Sequence, residues 1–130
     1  MRLSCRNAEN LLLTDEVLKS LSITWLELKR RIDKWIQNNA SHIHYKVMSE
    51  FKDSNYKRKD FNIKDIRNDL MGIIGSSKPW EVAVGHVIGQ LKYDNSIDFS
   101  IEGSIYNFLG KKIVKNIIPK GRHRKKENAS

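Results

Sequence analysis

Four basic side chains lie within six residues of one another: Lys29, Arg30, Arg31 and Lys34. At helical spacing they fall on the side away from a stripe of apolar residues, so one face can pack in a core while the other meets solvent. Guanidinium and ammonium groups on such a face bind phosphates and can read guanine edges. The pattern predicts a recognition helix at about 24–38. Glu27 and Asp33 reduce the positive charge of its basic face. The alternative is an ordinary surface helix with a solvated charged side.

His42 and His44 are the candidates for metal binding, because alternate residues of a strand point to one side. No Cys or acidic residue stands at a ligand-like spacing from them, so we expect no metal site. Glu27-x-Lys29, with Asp15 upstream, resembles part of a metal-nuclease motif, but all three residues fall in predicted helices. The sequence also lacks a Gly-rich phosphate loop, so we expect no enzyme activity and no cofactor.

Two capping signals position the basic helix. Thr14 precedes two acidic residues, and Thr24 begins a Thr-x-x-Glu capping box ten residues later. Poor helix formers lie between them. We therefore expect a helix at about 14–21, a turn at 22–23 and a second helix at about 24–38, which is a helix-turn-helix. One long helix with a coiled-coil seam is the alternative.

A β-hairpin wing is expected after the second helix. Apolar residues alternate with polar ones from His42 to Val47, and this is the period of a strand. Residues 52–55 read as a turn, and 56–63 return as a basic strand. The wing at about 52–60 would place Lys57, Arg58 and Lys59 on the DNA backbone or in the minor groove. The competing interpretation is that Tyr45–Phe51 is helical.

Residues 5–65 resemble the CaiF/GrlA-type transcriptional activators of enteric bacteria. The resemblance lies in Cys5-Arg6-x-x-Glu9, in Leu-Leu-x-Thr-Asp-Glu-Val ending at Val17, in Leu21-Ser22-Ile23-Thr24 at the turn, in the strand at Ile43, and in Asn55-Tyr56-Lys57-Arg58 in the wing. The family usually carries Gly at the position of Ser22. The resemblance implies a small winged helix-turn-helix protein that binds DNA to regulate transcription.

The second half repeats the order helix, break, helix, hairpin. Residues 62–71 form a capped amphipathic pattern, 72–77 break it, and Pro79 suits the first turn of a new helix. Alternating residues at 97–108 predict a hairpin. Residues 66–110 carry three basic and five acidic groups, which favours a structural or dimerising role over DNA contact. We therefore expect a homodimer formed through this half.

Charge is concentrated at the C-terminal end. The chain has 24 Lys and Arg against 15 Asp and Glu, a net charge of +9, and residues 111–126 hold eight basic groups and no acid. Such a chain is expected to bind polyanions.

The single cysteine, Cys5, excludes an internal disulfide, and no apolar stretch is long enough to span a membrane. We expect no signal peptide and a cytoplasmic, nucleoid-associated bacterial protein.

The sequence as a whole predicts an α+β, mostly helical fold, either one winged helix-turn-helix or two winged-helix-like units in tandem. The units are 1–64, the basic helix-turn-helix; 65–112, the second winged-helix-like or dimerisation unit; and 113–130, a disordered basic tail. The predicted function is that of a sequence-specific regulator of transcription that binds double-stranded DNA, with a regulatory protein as a candidate further partner. The predicted DNA-binding residues are Thr24, Lys29, Arg30, Arg31, Lys34, Lys57, Arg58, Lys59, Lys111, Lys112, Arg122, Arg124, Lys125 and Lys126.

Two other classes of function stay open from the sequence. One is a protein-interaction adaptor that uses the apolar stripe from Leu18 to Trp35 as a partner surface, with the basic tail conferring only solubility. The other is an RNA-binding protein, although the sequence lacks the aromatic pair typical of RNA-recognition motifs.

Overall fold

The computed structural model describes residues 3–118, and these residues are mostly helical, as predicted. A 3₁₀ helix at Ala8–Leu13 comes before the first α-helix. The α-helices are α1 (Asp15–Ser20), α2 (Trp25–Asn38), α3 (Tyr45–Asp53), α4 (Arg67–Ile74), α5 (Trp80–Gln90), α6 (Ile105–Leu109) and α7 (Lys111–Ile117). Within residues 3–118, none of the helices combines the length and apolar character that crossing a bilayer requires.

A tight turn separates α1 from α2, which confirms the predicted helix-turn-helix and excludes one continuous helix. The amide of Ile23 donates to the carbonyl of Leu18, and the amide of Ser22 donates to that of Lys19, both over 3.0 Å. These two bonds define a Schellman motif, which ends a helix and reverses the chain. Ser22 has a φ of +66°, the left-handed conformation that glycine adopts most readily.

A helix and a loop replace the predicted hairpin wing. The strand prediction at 42–47 is wrong and the helical alternative for Tyr45–Phe51 is confirmed, because α3 covers this stretch. Met48 and Phe51 are fully buried at helical spacing, whereas Ile43 is 86% exposed. Burial of apolar surface thus favours the helix over the short alternation. Residues 54–66 follow as turns and irregular chain rather than as a returning strand.

The predicted second hairpin at 97–108 is also absent. Within the described residues, a single position, Tyr93, forms a β-bridge. The carboxylates of Asp94 and Asp98 accept hydrogen bonds from the backbone amides two residues later, over 2.8 and 2.9 Å. Such turns compete with strand pairing. The second half therefore contains α4, α5, α6 and α7 in place of a winged-helix unit.

The helix boundaries of the second half follow Gly and Pro signals. The predicted helix at 62–71 is shifted to α4, which ends where Gly75 takes a φ of +84°. The helix predicted to start near Pro79 is confirmed as α5. The side of α5 with Ala83, Val84 and Val87 is buried, and Val82 is half exposed.

One continuous core joins both halves of the chain. α1 packs against α5 and α6, while α2 packs against α3 and α4. Buried residues from 1–64 and from 65–112 belong to the same cluster, so the boundary predicted between these units does not separate two cores. Leu18, Leu28 and Ile32 are fully buried in it. The apolar stripe proposed as an adaptor surface is therefore buried at Leu18, Leu28 and Ile32, whereas Leu21, Trp25 and Trp35 are partly buried against the core.

The segment from Ser4 to Asn10, which runs into the 3₁₀ helix, joins distant parts of the fold. The amides of Ser4 and Cys5 both donate to the carbonyl of Phe108 over 3.0 Å, and the amide of Arg6 donates to that of Lys59 over 3.0 Å. Asn10 is fully buried, and its side-chain amide donates to the carbonyls at 58 and 61, each over 2.8 Å. This segment thus contacts both the loop after α3 and the end of α6.

The predicted disordered tail at 113–130 begins too early. Residues 113–117 belong to α7, because Ile113, Val114 and Ile118 are buried in the core. Apolar side chains at these positions stabilise order that the basic composition alone did not predict. The rest of the predicted tail, including Arg122, Arg124, Lys125 and Lys126, lies outside the described residues.

Candidate nucleic-acid interface

α2 presents a row of three exposed side chains on the side opposite to its buried face. Leu26 is 74% exposed, and the side chain of Arg30 is 70% exposed. Lys34 follows at the same spacing of four residues and is also exposed. Residues four apart lie on one face of a helix, so these side chains form a continuous strip along α2. The strip contains an apolar group, a guanidinium and an ammonium group.

The start of α2 is fixed by its cap. The hydroxyl oxygen of Thr24 accepts a hydrogen bond from the Glu27 amide over 3.1 Å. This bond satisfies one of the free N–H groups of the first turn, and the others carry the partial positive charge of a helix start. Thr24 is thus a structural cap next to the exposed strip, and its role in DNA binding stays a prediction.

Glu27 neutralises part of the basic face. Its carboxylate accepts two hydrogen bonds from Arg30, over 2.9 and 2.6 Å, and one from Arg31 over 3.0 Å. These bonds, first from Arg30 and then from Arg31, lower the pKa of Glu27 to about 2. The side chain of Glu27 is partly exposed and that of Arg30 is 70% exposed, so a phosphate can compete with the carboxylate for the guanidinium of Arg30.

Arg31 contacts the protein surface, although its side chain is 41% exposed. Its Nη1 atom donates to the carbonyls of Ile73 and Ile74 at the end of α4, over 3.2 Å each. A cation there interacts favourably with the negative end of the helix dipole. Arg31 thus joins α2 to α4, and its role in DNA binding stays a prediction. Lys29 places its Nζ 5.6 Å from the centre of the Trp25 ring and is partly exposed.

Arg58, predicted as a wing contact, is buried. Its Nη1 atom donates to the carbonyl of Leu13 over 3.0 Å and to the carboxylate of Asp15 over 2.8 Å. The guanidinium carbon lies 4.5 Å from the centre of the Trp25 ring. A Cβ atom at Gly103 would come within 1.7 Å of Nη2. Arg58 therefore holds four segments together and cannot contact phosphate.

The loop around Arg58 still offers two lysines. Lys57 is exposed and Lys59 is partly exposed, so the loop presents basic groups where a wing was predicted. The loop is tied to α2 because the hydroxyl of Tyr56 donates to the carboxylate of Asp33. Burial and this carboxylate raise the pKa of Tyr56. Lys52 lies 3.3 Å from the same carboxylate, so α3 also contacts Asp33.

Lys111 and Lys112 are exposed in the first turn of α7. The helix dipole disfavours basic groups at the start of a helix, so the dipole does not explain why these two lysines are placed there. They are accessible to an anion, while the four basic residues predicted after them lie outside the described part of the chain.

The carboxylates that resemble a metal-nuclease motif are paired within the protein, and the single thiol is buried. Asp15 pairs with Arg58 and Glu27 with two arginines, so these carboxylates are held by cationic side chains of the protein itself. Cys5 is buried, and burial raises the pKa of its thiol to about 11. A thiol in this state is a poor nucleophile.

The sequence indicated Glu27 as a capping-box and possible nuclease residue and Asp33 as a charge that dilutes the basic face, but it did not assign either one an ion-pair partner. The spacing of Glu27 to Arg30 and Arg31, three and four residues, was a readable signal for the ion pairs. Nothing local indicated that Asp33 would bind Tyr56 or that Arg58 would reach Asp15, because these partners are far apart in sequence.

No protein-family model, curated protein or solved structure matches this chain. The resemblance to the CaiF/GrlA-type activators therefore stays a prediction.

Proposed function

We propose that this protein is a sequence-specific regulator of transcription that binds double-stranded DNA through α2. The observation that carries the proposal is the exposed strip of Leu26, Arg30 and Lys34 on the second helix of a helix-turn-helix. In helix-turn-helix proteins the second helix enters the major groove and its first residues contact the bases. The proposal includes no enzymatic step and no cofactor.

Each side chain of the strip has a chemistry suited to this role. The planar guanidinium of Arg30 can donate two hydrogen bonds to the O6 and N7 atoms of guanine. Leu26 offers an apolar group for the methyl group of thymine. Lys34 provides a mobile ammonium group for a phosphate. Arg30 must leave its ion pair with Glu27 in order to contact the DNA. The free energy of the DNA contact must therefore exceed that of the ion pair.

In this proposal the loop after α3 takes the place of a hairpin wing. Lys57 and Lys59 would lie along the sugar-phosphate backbone, while Arg58 holds the loop in place from within. Lys111, Lys112 and the basic residues after Pro119 would add phosphate contacts without sequence preference.

A homodimer and a regulatory protein partner remain part of the proposal, and sedimentation of the full chain tests the dimer.

The test measures binding of the full chain to fluorescent duplexes by anisotropy, using sites selected from a random library and unselected DNA, between about 50 and 200 mM salt. We expect Arg30→Ala to reduce the preference for selected sites by about 1–3 kcal/mol. Lys34→Ala should lower the log–log salt slope by about 0.9 at all sequences. Glu27→Gln should strengthen binding, because it removes the competing carboxylate.

Lys92→Ala is the matched control, since Lys92 is exposed in the acidic part of the chain and the substitution removes the same charge. If Arg30→Ala and Lys34→Ala bind every duplex as Lys92→Ala does, α2 is not the interface. A single-stranded RNA that displaces the selected duplex would favour the RNA-binding alternative instead.

A further inference from the structure

Three potential metal ligands meet where the loop before α3 contacts α4. The Nδ1 atom of His44 lies 2.5 Å from one carboxylate oxygen of Asp69, and the Nε2 atom of His42 lies 3.7 Å from the other. One ligand atom from each residue lies within 4.8 Å of the other two. The sequence suggested the two histidines but not Asp69, which is 25 residues further along the chain from His44.

Neighbouring groups hold the three side chains in place before an ion binds. The ring of His42 packs edge-on against Trp35 of α2, with centroids 4.9 Å apart. The backbone amide of His44 donates to the Nδ1 atom of His42 over 3.0 Å. Asp69 lies in the first turn of α4, and its side chain is 18% exposed. Both imidazoles are about one-third exposed, so an ion can reach the cluster from solvent.

We propose that His42, His44 and Asp69 bind one divalent transition-metal ion, with Zn²⁺ as the representative ion. Two imidazole nitrogens and one carboxylate oxygen are ligands that suit Zn²⁺ and its first-row neighbours. Zn–N and Zn–O bonds of about 2.0–2.2 Å require ligand atoms roughly 3–3.5 Å apart in tetrahedral geometry. The two measured N–O separations, 2.5 and 3.7 Å, lie on either side of this range.

Binding moves protons within the rings. The Nδ1 atom of His42 accepts a hydrogen bond, so its neutral ring carries the proton on Nε2. When Nε2 binds the ion, this proton passes through solvent to Nδ1, and the His44 amide loses its acceptor. The proton on Nδ1 of His44 passes in the same way to Nε2 of that ring. Neutral rings thus release no net proton, and the carboxylate exchanges a hydrogen bond for a metal bond.

Three protein ligands leave at least one coordination position open to water or to another molecule. The ion would clamp the loop before α3 to α4, and the contact of His42 with Trp35 extends this clamp to α2. The site stands on these contacts alone and does not depend on DNA binding.

The test uses the untagged full chain, freed of metal with a chelator and titrated with Zn²⁺ by calorimetry and with Co²⁺ by visible absorption. We expect one ion per chain and a rise in melting temperature with Zn²⁺. His42→Ala, His44→Ala and Asp69→Asn should each weaken Zn²⁺ binding tenfold or more. The control carries His86→Asn and His123→Asn, which replace the chain's other two histidines, and it should bind like the wild type.

Melting curves recorded without metal identify any variant that is unfolded. Only the variants that are folded are used to compare Zn²⁺ affinities. His42→Ala serves if Asp69→Asn is unstable, because the side chain of His42 is about one-third exposed and lies 3.7 Å from Asp69, beyond hydrogen-bond distance. The proposal is wrong if the wild type binds Zn²⁺ no more tightly than His42→Ala or His44→Ala. Loss of binding in the control variant, with binding retained in the site variants, would place the metal at the other histidines.

Discussion

Replacing Arg58 by methionine tests whether this residue supports the fold or binds DNA. Methionine keeps the length of the side chain but removes the guanidinium. The carbonyl of Leu13 then loses its donor, at a cost of about 1–3 kcal/mol for a buried acceptor. The contact with Trp25 contributes about 1 kcal/mol more. The pair with Asp15 adds under about 1 kcal/mol, because the side chain of Asp15 is 52% exposed.

These contributions amount to roughly 3 kcal/mol, or a fall in melting temperature of about 10 °C for a domain of this size. The assay is urea and thermal unfolding followed by circular dichroism. Lys57→Met is the matched control, since it makes the same change at the exposed neighbouring position and should alter the free energy of unfolding by less than about 0.5 kcal/mol. An Arg58→Met protein as stable as Lys57→Met, but with weakened DNA binding, would refute the structural role and restore the predicted wing contact.

Two further predictions concern the turn and the thiol. Ser22→Gly should raise the free energy of unfolding by about 0.5–1 kcal/mol, because relief of the left-handed strain exceeds the entropy that glycine adds to the unfolded chain; equal or lower stability in urea unfolding would contradict the Schellman geometry. Cys5 should react with a thiol reagent at neutral pH only as fast as the chain opens, since it is buried and its pKa is raised to about 11. Rapid labelling under native conditions, at the rate seen in urea, would show that the segment is not packed as described.

Local signals predicted the helix-turn-helix well. The capping threonines, the acidic residues after them and the poor helix formers between them act over a few residues, so the bounds of α1 and α2 could be read from the sequence. Pro79 located the start of α5 for the same reason. Each of these predictions depended on interactions within one turn of helix.

The hairpins and Arg58 show where sequence reasoning failed. A run of three alternating apolar residues fits a strand, but Met48 and Phe51 fit a helix equally well, and the choice depends on which core is available to bury them. Arg58 belongs to a run of three basic residues that suggests a charged surface. Its burial results from partners 43 and 45 residues away, which no local pattern reveals.

The hydrogen bonds from Ser4 and Cys5 to Phe108 have a consequence for synthesis on the ribosome. The two paired segments lie roughly a hundred residues apart in sequence, so these contacts cannot form until the later segment has left the ribosome. Contacts of such long sequence separation slow folding, because the loop between them must close first. The buried face of the 3₁₀ helix, with Leu11, Leu12 and Leu13, packs against α1, α5 and α6, so it is fully covered only after all three helices have been made.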